Sequence, residues 1–223
     1  MRRNGYMYMI LMLTAAVSTC FGIYKKGTYT SIGRDGIYPE YIHVAELPEE
    51  YALSACESMR EKLPDAPLAA KVTAAADVEH LGYTSRQLVQ VQRLYQGEGL
   101  KEDELLYITF QRWSLSLYGE PYSMERGFVN ILNVGEDYLI FLDERLETFG
   151  EEIPVYELYG DSVIAPVFSC SEHTNRIVPP AGENTYVPYS QVRENEFFAE
   201  TQKGLEAMEK LKGQMLEKYV DSE

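Results

Sequence analysis

The stretch GFVNILNVGEDYLIFLDERL, Gly127 to Leu146, is the most hydrophobic internal passage of an acidic chain, and its reading decides the fold. Two β-rich apolar runs, Phe128 to Val134 and Tyr138 to Leu146, flank the short step Gly135-Glu136-Asp137. A glycine that tolerates positive φ, followed by two acids that hold the turn in water, predicts an antiparallel hairpin whose arms are adjacent strands. The passage has the chemistry of core and turn, so it speaks for architecture and is silent on activity.

Working outward, the segment before it alternates cleanly. Leu68, Ala70, Val72, Ala74, Ala76 and Val78 fall on one face, Lys71, Thr73, Asp77 and Glu79 on the other. The apolar face is small, which lets another element pack close. Arg86 to Tyr95 alternates Val89 and Val91 against Gln90 and Gln92, then slips phase at Leu94-Tyr95 as a bulge would. Between Glu104 and Leu117, Leu106, Ile108 and Phe110 share a face and Tyr107, Thr109 and Trp113 the other, as in a central or curved strand. Pro154 to Leu158 and Ser162 to Cys170 are further β-like runs. Short strands punctuated by Gly and Pro predict an α+β, mainly β fold built on a small antiparallel barrel or sandwich.

Helical periodicity brackets the strands. Pro48-Glu49-Glu50 opens a helix with Ala52, Cys56, Met59 and Leu63 along one face. At about 195–220, Phe197, Thr201, Leu205, Met208, Leu211, Met215 and Tyr219 keep a period near 3.6. Gly204 and Gly213 each cost that helix about 1 kcal/mol relative to Ala, so it needs a surface to dock on, most simply the barrel. Residues 171–189 read as a long loop.

The first residues, MRRNGYMYMILMLTAAVSTCFGIYKKG, read as an export signal or membrane anchor over 1–26, followed by a linker over 27–36 and one extracytoplasmic domain over 37–223, its barrel at about 68–170. Three outcomes stay open: cleavage near Ala16-Val17-Ser18, lipidation of Cys20 in a lipobox-like Val17-Ser18-Thr19-Cys20, and retention as an anchor contacting the membrane. All three place the body outside the cytoplasm. The full chain carries 20 basic and 35 acidic residues, a net charge of −15; without Arg2, Arg3, Lys25 and Lys26 it is 16 against 35, or −19. So negative a body repels nucleic acid, which is excluded as a partner. Cys56 and Cys170 could form one disulfide in an oxidising compartment or remain two small buried thiols.

Three phrases carry a resemblance: VQVQRLYQGE (Val89–Glu98), LKEDELLYI (Leu100–Ile108) and NVGEDYLIFL (Asn133–Leu142), with a weaker echo in YSQVRENEFF (Tyr189–Phe198). They resemble "VYKGE" and "VGEEYLVFL" phrases of uncharacterised exported or lipid-anchored proteins of Gram-positive bacteria. That arrangement is similar to OB-like barrels of the netrin-like type, the fold class of the tissue inhibitors of metalloproteinases. The likeness covers residues 68–146 and implies a small OB-like barrel with a preceding helix and a C-terminal helix packed on it. It implies no activity: the disulfide-tied N-terminus on which those inhibitors depend is lacking here, so protease inhibition is not carried over.

For chemistry, the three histidines, His43, His80 and His173, leave few options. Cys170-Ser-Glu-His173 has the spacing of half a zinc site, with no second pair, and reads as a loop. Tyr159-Gly160-Asp161-Ser162-Val163 is like the nucleophile block of SGNH esterases, but the residue three before His173 is Cys170 where those enzymes carry Asp; a β-turn is the simpler reading. The carboxylate pairs Glu136-Asp137 and Asp143-Glu144 are expected among 35 acids, and EF-hand, Walker and His-Glu-x-x-His patterns are absent. No cofactor, metal or catalytic residue is implied. Eighteen tyrosines are many, and Trp113, Tyr118, Tyr122, Tyr186 and Tyr189 are the candidates for a face that stacks on a glycan or peptide, against the alternative that they pack in the core. The expected function is a non-catalytic binding module of the cell envelope, with a Ser162 hydrolase as the alternative.

Overall fold

The computed structural model describes residues 42–81, 84–116, 122–178 and 186–221. The expected signal or anchor over 1–26, the expected linker over 27–36 and Cys20 lie outside these residues, as does Tyr118. In chain order the elements are β1 (Ile42–Ala45), α1 (Glu49–Lys62), β2 (Leu68–Ala74), β3 (Glu79–Leu81), β4 (Thr84–Gln96), β5 (Leu105–Thr109), β6 (Trp113–Ser116), β7 (Tyr122–Arg126), β8 (Asp137–Leu146), β9 (Val155–Leu158), β10 (Val167–Ser169), β11 (Tyr186–Pro188), α2 (Tyr189–Val192) and α3 (Gln202–Tyr219). Among them no helix is long and apolar enough to cross a membrane.

The expected barrel is there. Strands β2, β4, β5, β9 and β8 close on themselves, because β8 pairs with both β9 and β2. Four of the five pairings are antiparallel and β5–β9 is parallel, giving an OB-like Greek key. The small face of β2 turns inward: Ala70 sits opposite Ile140 and Leu94, and Val72 opposite Tyr138 and Val91. Register shifts in the β2–β4 pairing mark the bulge expected there. On the outer face, Phe141 meets Tyr219 of α3 edge-to-face, ring centroids 5.3 Å apart, so the C-terminal helix docks on the barrel wall. Helix α1 lies against α3, where Ala52 packs beside Gly204.

Three expectations are corrected. Phe128 to Val134 is not a strand and does not pair with β8. Gly127 (φ +61) and Phe128 (φ +55) are both left-handed, which breaks the extended path before it can begin, and only Val129 makes a bridge, to Phe197. Gly135 does turn the chain (φ +88), but its N–H donates to the Ala74 carbonyl, tying the turn to β2. The segment expected as strand from Glu104 to Leu117 is two strands in its described part, which ends at Ser116. After β5 the chain turns at Gln111-Arg112 and β6 joins a separate four-stranded sheet of order β11-β1-β7-β6, with its own core of Ile42, Val44, Leu115, Met124, Val187 and Phe198. Likewise, only Val167 to Ser169 of the run from Ser162 to Cys170 is strand.

The two glycines of α3 predict opposite effects. A Cβ on Gly204 lies 3.3 Å from the Ala52 Cβ, whereas one on Gly213 meets nothing within 4 Å. Gly204→Leu is expected to destabilise by about 1–3 kcal/mol through overpacking. Gly213→Ala is expected to stabilise by about 0.5–1 kcal/mol in urea denaturation.

Candidate functional site

The site forms where the small sheet meets the barrel. Gln87, on the inward face of β4 with Val89 and Val91, is fully buried, and its amide makes four hydrogen bonds. Nε2 donates to the carbonyls of Ala76 (3.1 Å) and Leu132 (2.7 Å); Oε1 accepts from the Leu132 N–H (3.2 Å) and from Arg126 Nη2 (3.2 Å). Arg126 ends β7, only 2% exposed, with its guanidinium 3.5 Å from the centroid of the Trp113 ring. The indole N–H donates back to the Arg126 carbonyl at 3.1 Å. The Trp113 ring face and the Gln87 amide oxygen both meet the buried cation.

Beyond Arg126 the backbone is constrained. A Cβ on Gly127 would lie 2.8 Å from the Ala165 nitrogen, whose N–H donates to the Gly127 carbonyl, so only glycine fits. Phe128 holds positive φ without that freedom, at a cost on the order of 1–2 kcal/mol. Its carbonyl accepts from the Phe198 N–H at 3.0 Å, which fixes the conformation. The strained pair borders a cavity of about 210 Å³. Buried Met124 and Phe198 with half-buried Phe128 and Val163 make its apolar lining, and exposed Arg112 and Glu125 stand at its rim. Ligand pockets usually hold roughly 300–1,000 Å³, so this one takes a single side chain or a small acid.

The aromatic candidates separate. Trp113 is 1% exposed and belongs to the core, where it serves Arg126; it presents no ring to a ligand. Tyr122 pairs with Ile42 and Tyr186 with Ala45, three positions apart along β1, so the two tyrosines sit on opposite faces of the sheet. Tyr122 and Tyr189 pack on the small core. Tyr189 donates its hydroxyl to Asn130 Oδ1 at 2.8 Å, and burial pushes its phenol up to about 12. The four described candidates therefore do not form one stacking face.

The reactive candidates have structural duties. Cys56 and Cys170 are both free; Cys56 is buried, which pushes its thiol up to about 12. Ser162 Oγ accepts from the Ile164 N–H at 3.2 Å and closes a turn, while Asp161 pairs with Lys62. Ser169 Oγ lies 2.9 Å from His173 Nε2, but Glu136 approaches that same nitrogen at 3.7 Å. A catalytic triad needs acid and serine on opposite ring nitrogens, and Ser169 is only 1% exposed. Beside it, buried Glu196 accepts from the Ser169 N–H and pairs with Lys212; burial nonetheless holds its carboxyl above the ordinary range. Among the described residues no three His, Cys, Asp or Glu side chains gather as a metal site.

The residues that build the pocket were not among the aromatic candidates. Gln87 carried a signal, a polar residue in phase with Val89 and Val91; Arg112, Phe128 and Val163 carried none, since distant chain segments bring them together. Compared with protein-family models and with curated proteins, the chain matches none.

His80 lies by this junction, its Nδ1 2.9 Å from Ser85 Oγ; burial, then the Arg126 charge, lower its pKa from 6.5 to about 4. The unfolded chain takes up this proton first as pH falls, so stability is lost between about pH 6.5 and 4. At about 1.4 kcal/mol per pH unit the loss is on the order of 3 kcal/mol. Urea titrations across that range should show a shallower slope in His80→Gln than in the parent.

Proposed function

We propose that this chain is a non-catalytic interaction module of the cell envelope, exported or tethered through residues 1–26, that takes a protein segment in the pocket between its two sheets. The pocket supports this reading best: it is one side chain in size, apolar within, charged at the rim and bordered by strained backbone. Strain of this kind persists at sites where a fixed shape is needed. Arg112 stands beside Glu125 at the rim and gives the pocket mouth an exposed cation on an acidic body. The ligand that fits is an apolar side chain beside a carboxylate, as at a peptide C-terminus. A glycan fits less well, because Trp113, Tyr122 and Tyr189 turn to the cores. The Ser162 hydrolase has no such support, since that hydroxyl is engaged by Ile164.

A peptide array probed with the full chain tests the pocket. Peptides ending in an apolar residue with a free carboxylate should bind, and Arg112→Glu, at an exposed position, should weaken them by about tenfold or more without changing the melting temperature. Equal binding by amidated peptides or by Arg112→Glu would remove the pocket from the account. Fractionation tests the localisation: deleting residues 1–26 should retain the protein in the cytoplasm.

A further inference from the structure

A second surface lies on the loop between β8 and β9. Phe149 is 107% exposed, whereas the other exposed large apolar residues, Tyr51, Leu105, Val134 and Ile177, range from 41% to 55%. Gly150 (φ +76), with open space around it, turns the chain immediately after the ring. The loop's root is fastened to the barrel. Arg86 pairs with Glu151 at 3.1 Å and with Glu79 at 2.9 Å, and its guanidinium sits 3.8 Å from the centroid of the Tyr107 ring. The Pro154 carbonyl accepts from the Tyr107 N–H at 2.8 Å. The ring is therefore presented from a held base.

The charge around that ring selects the occupant. In sequence Asp143, Glu144, Glu147, Glu151 and Glu152 lie around Phe149, against Arg145 and against Arg86, which pairs with Glu151, so the loop stays net acidic on a chain of net charge −15. Such a surface repels anionic lipid and nucleic acid and attracts cations. We propose that Phe149 is the anchor of a protein-docking surface whose partner offers an apolar pocket edged by Lys and Arg. An exposed aromatic that is desolvated at the centre of a contact, with charges at its rim, is how anchors of this type work. The surface is independent of the pocket between the sheets, and either can fail without the other.

The test uses the full chain and a fixed panel: folded basic miniproteins with an apolar cleft edged by Lys and Arg, the same miniproteins with those residues changed to Glu, and vesicles of zwitterionic and of anionic lipid. The basic set should bind with an affinity that falls as salt rises. Phe149→Ser and Glu147→Lys/Glu152→Lys should each weaken it by about tenfold or more at an unchanged melting temperature, and Arg112→Glu should leave it as it was. Absence of binding by the basic set, or binding indifferent to Phe149→Ser, would overturn the proposal. So would vesicle binding, or self-association in sedimentation, that disappears in Phe149→Ser, because the ring would then serve a membrane or a second copy.

Discussion

One buried amide holds the two halves of this protein in register. Gln87 looks into the barrel from β4, yet three of its four hydrogen bonds go to the chain that follows β6: one to Arg126 and two to Leu132. With both donors and both acceptor sites used, its orientation is fixed, and so is the backbone that crosses the barrel end. Arg126 then carries the constraint into the small sheet through the Trp113 ring. Leaving any member of such a network unpaired costs more than the bonds contribute when made, so the network specifies one arrangement of barrel against sheet.

The pocket follows from that arrangement. Because Arg126 is held, the chain must turn away at once, and Gly127 and Phe128 do so in left-handed conformations against Ala165 and Phe198. Ala45 and Met124 of the small sheet then meet Phe128, Val163 and Phe198 of the connecting segments around a space sized for a side chain or a small acid. On the far side of the barrel, small residues and aromatics divide the labour: Ala70 and Ala74 let the strands close, and Phe141 and Phe168 give α3 its seat.

Much of this was legible where the pattern is local. The spacing of Ala52, Cys56 and Met59 marks α1, the alternation of Leu68, Ala70, Val72 and Ala74 marks β2, and Leu205 to Tyr219 mark α3. What failed depended on distant partners. Phe128 to Val134 has strand composition, but Gly127 packs against Ala165, and that contact rather than propensity sets its backbone. Trp113 alternates like a surface residue of a curved strand, yet belongs to a different sheet because the chain turns at Gln111-Arg112. The parallel pairings β5–β9 and β1–β7 leave no trace in either strand alone. For the site, composition flagged aromatics, whereas the pocket is made by the Gly127-Phe128 turn, a rim arginine and apolar side chains of distant segments that only the fold assembles.

The central claim is that Gln87 makes barrel and small sheet one cooperative unit. Native-state hydrogen exchange measures this directly, by comparing amides of β1 and β7 with those of β2 and β4 in the parent chain and in Gln87→Leu. The account predicts that both sets exchange through one common opening in the parent, and that the small sheet opens separately at lower free energy in the variant. Separate openings already present in the parent, or a variant in which the two sets still exchange together, would contradict it.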